Sequence, residues 1–552
     1  MSEASHIRIL RDAIGEAARQ VTGAEDIRVE LTPPASADHG DLATPVAMTL
    51  AKAARRNPRE IAGEIADRLR EREDVIDVEV AGPGFINLRL SPRWFADSVA
   101  DVVAAGEAYG ADGAVPAERI LLEYVSPNPT GPLHVGHARQ AAYGDALGRI
   151  LEFVGHTVTR EAYVNDYGRQ MEVFGAAVAA AYAELIGDEP VPPEDGYSGA
   201  YIAEVAARLH QEAGDRYRGQ VSPPTGDTLD WFATRGGALM LADIQAVLER
   251  ARVRIDSYFS ETTLHREGLV QKGVEALVQG GHAVEREGAL WFRSSEFGDE
   301  KDRVLVRANG VTTYLAADVA YHANKADRGV DRLIDVLGAD HHGYIARLKA
   351  LLAATGHDPE MLEVMIQQLV SLQERGESKR MSKRAGTLVT MEELLDDIGV
   401  DALRFFLVDR SHDTALDLDL DLAREQSQEN PVYYVQYAHA RCVNILAKAA
   451  AAADVADPVT PPGDLDPSER ELVTTLLAWP AAVAEAAARR SPHRVAAYLR
   501  DLARDLHAFY HRCRVVGEAP EVQVFRVALT TATRDVLKGG LALLAVTAPD
   551  RM

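Results

Sequence analysis

The sequence predicts an α/β protein of three parts, with a parallel sheet covered by helices in the middle of the chain. Strand and helix patterns alternate from residue 119 onward, which is typical of such a sheet. Two short apolar runs joined by Gly82-Pro83-Gly84 predict a hairpin near the N-terminus. Nearly continuous helical patterns after residue 400 predict an all-α bundle. A chain of 552 residues is long enough for several domains.

Residues 1–110 form the predicted N-terminal α+β unit. Apolar side chains recur at helical spacing over residues 5–21, 44–55 and 58–73. The segment DVIDVEVAGPGFINLRLS then supplies the two strands of the hairpin. The linker AYGADGAVPAE follows, so we expect the domain boundary there.

Residues 111–395 form the predicted sheet domain. RILLEYVS is a buried strand, a helix follows HVGH, and HTVTREAYV is a second strand, which together make a βαβ unit. Residues 332–338 and 361–370 are further strand or helix candidates. The long, mostly helical stretch 168–300 is interpreted as an insertion, for which the sequence indicates no function.

Residues 396–552 form the predicted C-terminal helical domain. DTALDLDLDL, at 413–422, resembles a calcium loop, but Leu422 stands where the loop needs Gly and Gln428 where it needs Glu. A short strand or an extended turn is expected there instead.

Composition indicates a soluble globular protein, with 47% hydrophobic and 26% charged residues. The net charge of -25 disfavours a wholly basic surface but leaves room for a local basic strip, so RNA remains an open partner. The two cysteines, Cys442 and Cys513, form no CxxC pattern, so we expect buried thiols in a reducing cytoplasm and no structural metal. Neither a signal peptide nor a run of about 18 apolar residues is present in the sequence, so no membrane segment is expected.

The stretch SPNPTGPLHVGH predicts an anion site. Prolines fix a loop between a buried strand and a helix N-terminus, where unpaired amides and the helix dipole favour negative charge. His134 and His137 fall on one helix face and can donate to phosphate oxygens, while Gly136 leaves room for a flat base. The alternative is that the two histidines are structural or incidental.

A second candidate lies at SKRMSKRAGT, residues 378–387. Lys379, Arg380, Lys383 and Arg384 surround Met381-Ser382 in a Gly-bounded loop. Such a concentration of positive charge suits a pentavalent phosphorus transition state. The alternative is a solvated basic loop.

Two carboxylates suggest the second ligand. Glu123 lies in an apolar strand, where a charge is costly unless it meets a cation. Asp318 follows Tyr314 by four residues and shares its face in a helix. Together they can grip a planar guanidinium through paired hydrogen bonds. The alternative is an N-cap aspartate and a structural glutamate.

HVGH after the first strand and MSK after the last resemble the HIGH and KMSKS signatures of the class I aminoacyl-tRNA synthetases, and GADHHGY resembles their GxDxxxH segment. Arg380 and Arg384 depart from the outer positions of KMSKS, while Lys383 is retained. The resemblance implies catalytic roles for His134 and His137, which would stabilise the ATP phosphates, and for Lys383, which would hold the departing pyrophosphate. The ATP-binding residues it implies are His134, Gly136, His137, Asp340, Met381, Ser382 and Lys383.

Nearly the whole chain resembles the arginyl-tRNA synthetases, through ExxSPNxxxPxHVGHxR, YLxxDV, VDALRFFLVDRS, NPVYYVQYAHAR and LALLAVTAPDRM. The resemblance implies a monomeric cytoplasmic enzyme. It would form arginyl-adenylate from L-arginine and ATP with Mg²⁺, and pass arginine to the terminal adenosine of tRNA(Arg). The arginine-binding residues it implies are Glu123, Ser126, Asn128, Tyr314, Asp318 and His341. The tRNA-binding residues it implies are Phe85 and Asn87 near the D-loop, and Tyr434, Tyr437 and Arg441 in the anticodon-binding bundle.

Some alternatives stay open at this point. Phe85 also fits a strand residue in a hydrophobic core, and helix spacing places some of the C-terminal tyrosines in a core. A cysteinyl enzyme would need more cysteines, and a glutamyl pocket would need cations. A small nucleotidyltransferase would not need the C-terminal bundle, and a non-catalytic relative would not need the two histidines and Lys383.

Overall fold

The computed structural model describes residues 5–32, 34, 36, 39–113, 116–379, 389–451 and 463–552. The chain forms two compact units. One contains residues 1–115, 153–155 and 426–552, and the other contains residues 116–152 and 156–425. In the described part of the chain, no helix has both the length and the apolar character needed to cross a membrane.

The N-terminal part of the first unit is the expected α+β structure. Its three antiparallel strands have the order β1-β3-β2, with Phe85 and Ala81 paired across the turn at Gly82–Gly84. The strands are β1 (Leu42–Thr44), β2 (Val75–Ala81) and β3 (Phe85–Leu90). The helices are α1 (Ser5–Thr22), α2 (Val46–Ala54), α3 (Pro58–Leu69) and α4 (Pro92–Ala105).

The second unit begins with the expected βαβ structure, β4 (Arg119–Glu123), α5 (Val135–Phe153) and β5 (Thr157–Val164). Small residues let α5 approach the sheet closely. A Cβ on Gly144 would lie 2.3 Å from Cγ of Tyr124, and one on Gly148 would lie 2.9 Å from Nε of Arg160. Close packing of this kind fixes the start of α5 relative to the end of β4.

The stretch expected to be an insertion, 168–300, is only partly outside the sheet. Its first part is helical, with α6 (Arg169–Ile186), α7 (Ala200–Ala213) and α8 (Gly226–Arg250) packed around their own apolar core. Then β6 (Ser257–Ser260) pairs in parallel with β5 and forms an edge of the main sheet. The boundary at about 300 is therefore corrected, because a four-residue strand is too short to interrupt a helical pattern visibly.

The rest of the second unit completes the sheet. Its order is β11-β10-β4-β5-β6, all parallel, and both open candidates at 332–338 and 361–370 contain strands. The strands after β6 are β7 (Ala283–Arg286), β8 (Ala289–Phe292), β9 (Arg303–Val306), β10 (Arg332–Gly338), β11 (Leu362–Gln367), β12 (Val370–Glu374), β13 (Glu377–Lys379) and β14 (Leu416–Asp419). The helices are α9 (Glu261–Arg266), α10 (Leu269–Gln279), α11 (Tyr314–Asp327), α12 (Ile345–Ala354), α13 (Met391–Val408) and α14 (Leu420–Arg424).

The C-terminal part of the chain is helical, as expected, and belongs to the same compact unit as the N-terminal part. Arg470 Nη1 lies 3.0 Å from Oδ2 of Asp41, and Trp479 Nε1 donates to the Tyr109 carbonyl at 2.8 Å. The helices are α15 (Pro431–Ala450), α16 (Pro467–Leu477), α17 (Trp479–Ala488), α18 (His493–Arg512) and α19 (Pro520–Leu543).

Cys442 and Cys513 are both free and buried, which confirms the expectation of buried thiols. Burial raises the pKa of the Cys442 thiol to about 12. A thiol that stays protonated at neutral pH is a poor nucleophile, so Cys442 contributes to packing.

Candidate active site

A cavity of about 670 Å³ opens at the carboxyl ends of the parallel strands. Parallel sheets bind ligands there, because the reversal of strand order around the first strand leaves a crevice. The ends of β4, β5, β10 and β11 line the cavity together with the starts of α5, α9 and α11. The four residues of HVGH therefore line one cavity together with Tyr314, Ala317 and Asp318 of YLAADV.

The loop between β4 and α5 enters the cavity in a constrained conformation. Val125 and Ser126 have φ angles of 73° and 38°, in the left-handed region that residues other than glycine avoid. Backbone strain of this kind clusters at functional sites. Tyr201 of α7 donates from its hydroxyl to the Thr130 carbonyl at 3.2 Å. The helical segment thus braces this loop, a role that the sequence did not reveal.

His134 and His137 present their rings to the cavity at the start of α5. Nδ1 of His134 accepts from the Gly136 N–H at 3.1 Å, and Nδ1 of His137 accepts from the His134 N–H at 3.3 Å. A ring nitrogen that accepts a backbone N–H carries no proton, so in both neutral rings the proton lies on Nε2. The ring centroids are 4.0 Å apart. The pair can therefore donate from two Nε2–H groups to one anion beside the helix N-terminus.

Gly136 also lines the cavity. A Cβ at this position would lie 3.0 Å from Cε1 of His134. A side chain at this position would therefore crowd the ring of His134, while the space predicted for a flat base stays a prediction.

Most of the second motif falls outside the described residues, including the predicted ligands Met381, Ser382 and Lys383. Its flanks are described. Thr390 forms an antiparallel bridge with His134, and the Met391 N–H donates to the Leu133 carbonyl at 2.8 Å. The chain that leaves the second motif is therefore hydrogen-bonded to the residues that begin the first.

Glu123 lies at the floor of the cavity, but its charge is already paired. Nζ of Lys325 is 2.8 Å from Oε2 of Glu123 and 2.8 Å from Oδ1 of Asp335. Ser126 Oγ donates to the other Glu123 oxygen at 2.7 Å. Internal donors therefore engage both oxygens of Glu123, and its role as a guanidinium ligand stays a prediction.

Two other carboxylates, Glu261 and Asp318, face the cavity without a lysine or arginine partner in the described part of the chain. Among the described residues, no Lys or Arg nitrogen lies within 4.0 Å of either one. Burial and repulsion from Asp318 raise the pKa of Glu261 to about 7, against a hydrogen bond from Tyr163 that lowers it. Burial likewise raises the pKa of Asp318 to about 6, although His322 and Arg347 attract its charge. Such shifts mark carboxylates that await a positive ligand.

The nearest basic group to Glu261 does not neutralise it. His265 Nε2 stands 3.7 Å from Oε1 of Glu261, beyond hydrogen-bonding distance. Burial lowers the pKa of His265, so this imidazole is neutral at pH 7. Sequence reasoning missed Glu261, although one signal was present: it directly follows the apolar YFS run, at the end of a strand in a sheet expected to be parallel.

The remaining predicted residues of this site line the same cavity, except that the side chain of Asp340 is not described. They are Ser126, Asn128, Tyr314 and His341. Gln367, at the end of β11, was not foreseen. Its side chain is 3% exposed, and neither Nε2 nor Oε1 has a partner among the described residues. A buried amide without partners at the wall of a cavity is suited to hydrogen-bond a ligand.

The two candidates on β3 differ in exposure. Phe85 is 39% exposed, so the alternative that it belongs to the hydrophobic core is wrong. Asn87 is only 6% exposed and lies in the middle strand, opposite Ala43 and Glu79. Phe85 can contact a ligand directly, whereas Asn87 supports the sheet beneath the surface.

The candidates on α15 form a half-buried aromatic cluster around one cation. The Arg441 guanidinium lies 4.6 Å from the ring centroid of Tyr437 and 4.3 Å from that of Tyr510. Burial lowers the pKa of His507 to about 4, so its Nδ1 accepts from Arg441 at 2.8 Å. Tyr434 packs against the His507 ring at 4.8 Å. A guanidinium that neighbouring side chains fix in place among partly exposed rings can stack on unpaired bases.

Three family models match the chain. The model described as the arginyl tRNA synthetase N terminal domain matches residues 8–90. The model described as the tRNA synthetases class I (R) catalytic domain matches residues 98–204 and 226–423. The model described as the DALR anticodon binding domain matches residues 435–552.

Curated relatives and a solved structure agree with these matches. An arginine–tRNA ligase of Carboxydothermus hydrogenoformans is 44% identical over 96% of this chain and 95% of its own. One of Bacillus subtilis is 43% identical over 99% and 98%. The structure of Thermus thermophilus arginyl-tRNA synthetase superposes with a TM-score of 0.76 at 26% identity, over 99% of this chain and all of that one.

Proposed function

The chain belongs to the arginyl-tRNA synthetase family, and from that premise we propose how its residues bind and join the substrates. The enzyme is an arginine–tRNA ligase: it activates L-arginine with ATP and transfers arginine to tRNA(Arg). The observation that carries the assignment of the amino-acid site is the open pair of carboxylates, Glu261 and Asp318, in the cavity beside HVGH.

The guanidinium of arginine lies between Glu261 and Asp318 in this proposal. A planar group with five N–H donors can satisfy two carboxylates at once. Tyr163 orients Glu261 through its hydrogen bond, and Tyr314 lies one helical turn before Asp318 at the rim of the cavity. Asn128, near the start of the loop, is placed to receive the α-amino group.

ATP lies on the other side of the same loop, at the N-terminus of α5. The Nε2–H groups of His134 and His137 donate to phosphate oxygens, and Lys383 holds the β- and γ-phosphates. An oxygen of the arginine carboxylate attacks the α-phosphorus, and the bond from that phosphorus to the bridging oxygen breaks. Pyrophosphate leaves, and the negative charge that grows on it is stabilised by these donors. No protein nucleophile is required, because positioning and electrostatics carry the step.

The second step uses the same site. A ribose hydroxyl of the terminal adenosine attacks the carbonyl carbon of the adenylate, and AMP leaves. Phe85 contacts the outer corner of the tRNA, and the cluster of Tyr434, Tyr437 and Arg441 contacts anticodon bases. The basic and aromatic character of these positions supports the proposal.

The broader assignments follow the family. Mg²⁺ enters with ATP as part of the substrate, and the enzyme acts as a monomer in the cytoplasm. Residues 1–110 are the tRNA-contacting domain, 111–395 the catalytic domain, and 396–552 the stem-contacting and anticodon-binding domain. The three matching family models support a division into three parts, with the catalytic model ending at residue 423 and the anticodon-binding model beginning at residue 435.

Replacing Asp318 with Asn tests the amino-acid site. We expect the Kd for L-arginine to rise on the order of 10- to 100-fold, since a hydrogen bond to a charged group contributes about 1.5–3 kcal/mol. The Kd for ATP should change less than about twofold, because His134 and His137 are untouched. Isothermal titration calorimetry of each ligand against the full chain measures both.

A matched control is Asp327→Asn, at the far end of the same helix, where the residue is exposed. If D318N binds arginine as tightly as this control does, the guanidinium does not lie at Asp318. If both ligands weaken together, the substitution has disturbed the cavity as a whole and the proposed separation of the two subsites is wrong.

A further inference from the structure

Lys325 is a fully buried cation that pairs with two carboxylates of the cavity lining. Its side chain is 0% exposed, and its Nζ lies 2.8 Å from Glu123 and 2.8 and 2.9 Å from the two oxygens of Asp335. Glu123 and Asp335 are direct partners in the register of β4 and β10. Lys325 therefore bridges two carboxylates that the sheet itself places side by side.

The other atoms of this network are also engaged. Ser126 Oγ donates to Glu123 at 2.7 Å, and His322 Nε2 lies 3.1 Å from Oδ2 of Asp335. Nδ1 of His322 faces the Asp318 carbonyl at 3.0 Å, so both ring nitrogens point at acceptors. The ring of His322 thus lies between a carboxylate oxygen of Asp335 and the carbonyl oxygen of Asp318, and Lys325 supplies the ammonium that both carboxylates share.

Charge stays on these groups despite their burial. Burial works against the ammonium, but attraction from Asp335 and Glu123 raises the pKa of Lys325 above its usual value. Burial likewise opposes ionisation of Asp335, but attraction from Lys325 and His322 lowers its pKa. Attraction from the two carboxylates therefore favours the charged ammonium at this position.

The cavity thus has two classes of carboxylate. Glu123 and Asp335 are both paired with the ammonium of Lys325, whereas Glu261 and Asp318 have no nitrogen of a described Lys or Arg residue within 4.0 Å. All four line one cavity of about 670 Å³. A cationic substrate would otherwise meet four competing sites, and only one arrangement places its carboxylate towards the nucleotide.

We propose that Lys325 is a specificity-determining positioning residue, an internal counter-cation that closes Glu123 and Asp335 so that the substrate cation has only Glu261 and Asp318 to occupy. This inference rests on the proposed function. Lys325 does not itself touch the substrate. It acts by occupying Glu123 and Asp335, which would otherwise form a non-productive binding site for the guanidinium or the α-ammonium group.

Replacement of Lys325 by Met opens the second pair of carboxylates. Arginine is then still attracted, but a fraction of it is bound in the wrong place. The kcat for aminoacylation of tRNA should fall on the order of 10- to 100-fold, the range that misplacement causes. The KM for arginine should stay within about threefold of wild type or fall. L-Lysine, an ammonium competitor, should inhibit the variant more strongly than it inhibits wild type.

The control for simple loss of a buried ion pair is Arg328→Met. Arg328 directly follows the same helix, and its partly exposed guanidinium pairs with a buried strand carboxylate, Glu161, at 2.6 Å, but neither residue lines the cavity. Its variant should lose thermal stability, as K325M does, with kcat and lysine inhibition within about twofold of wild type.

A double variant separates charge closure from packing. The double variant Glu123→Gln, Lys325→Met removes one carboxylate and one cation together. Asp335 keeps its contact with Nε2 of His322. This variant should recover most of the kcat that K325M loses. If K325M does not fold, the comparison is between E123Q alone and the double variant, where loss of Lys325 should cost less than about threefold in kcat.

Two results would overturn the inference. In the first, removal of Lys325 lowers kcat equally in the wild-type and E123Q enzymes. In the second, K325M matches R328M both in kcat and in its inhibition by lysine. In the same assay, a wild-type enzyme that attached no arginine to tRNA would overturn the proposed function itself, and this inference with it. If the wild-type enzyme is active but one of the two results for the Lys325 variants is found, only this inference is overturned and the proposed function stands.

Discussion

Replacing Glu261 with Gln should stabilise the free enzyme at alkaline pH while it weakens arginine binding. Glu261 is 4% exposed, and the pKa of its carboxyl group, about 7 in the folded protein, compares with an ordinary value of 4.5. At about 1.4 kcal/mol per pH unit, this difference corresponds to roughly 3 kcal/mol of unfavourable free energy when the group is ionised. Gln is neutral and keeps an acceptor for Tyr163, so E261Q removes that cost.

The sign of the pH dependence follows from the raised pKa. Below pH 4.5 the group is protonated in both the folded and the unfolded chain and costs nothing. Between 4.5 and 7 the unfolded chain releases the proton first, so the folded state loses stability as the pH rises, and above 7 the loss is complete. Urea unfolding of wild type and E261Q should therefore coincide near pH 4.5 and differ by up to about 3 kcal/mol near pH 8.

Arginine should reverse this order. Its cation favours the ionised carboxylate, so saturating arginine stabilises wild type at pH 8 and stabilises E261Q much less. The control is Glu267→Gln, at an exposed residue directly after α9. This substitution should not change the free energy of unfolding in the absence or the presence of arginine. An E261Q protein that is less stable than wild type at pH 8, or one that binds arginine with unchanged affinity, would refute the reasoning.

Two further predictions concern the tRNA contact and the loop. Phe85→Ala should raise the KM for tRNA on the order of 5- to 100-fold, because stacking on one base contributes about 1–3 kcal/mol. The control, Ile76→Ala, changes an exposed residue of the same small sheet and should leave the KM for tRNA unchanged. Equal effects of the two substitutions would contradict the proposed contact. Replacing the three prolines of residues 127–132 with Ala should slow adenylate formation about tenfold or more in single-turnover assays with tRNA present; a larger effect on the Kd of either ligand than on this rate would contradict the loop's role in alignment.

The sequence was informative where a local pattern is also the structural cause. The βαβ unit and the hairpin at residues 75–90 lie where the apolar periodicity predicts them, since burial on a sheet face imposes that periodicity. The HVGH loop was likewise recognisable, because the helix start needs its histidines and glycine in a fixed local order. These features depend on neighbours within a few residues of each other.

The charge pairing of the site could not be predicted in the same way. Glu123 meets a lysine that is 202 residues away in the sequence, and only the pairing of β4 with β10 brings Asp335 alongside. The carboxylate that is open instead, Glu261, follows a strand of four residues, too short to stand out within a mostly helical stretch. Which carboxylate is free and which is paired is thus a property of the tertiary structure.

Arg470 illustrates the same limit for domain organisation. It pairs with Asp41, which is 429 residues away in the sequence, so the N-terminal and C-terminal parts of the chain share one compact unit. Composition and linkers mark where the chain changes character, but they do not show which distant parts pack together.

The central claim is that an open pair of carboxylates selects the positive charge of a guanidinium. The most direct test is ATP-dependent aminoacylation of tRNA(Arg) with L-arginine and with L-citrulline, which has a similar shape but a neutral urea group. We expect arginyl-tRNA to form and citrulline to be disfavoured in kcat/KM on the order of 10⁴-fold, since the buried carboxylates would be left without a cation. Efficient charging with citrulline, or citrulline inhibition as strong as binding of arginine itself, would contradict the account.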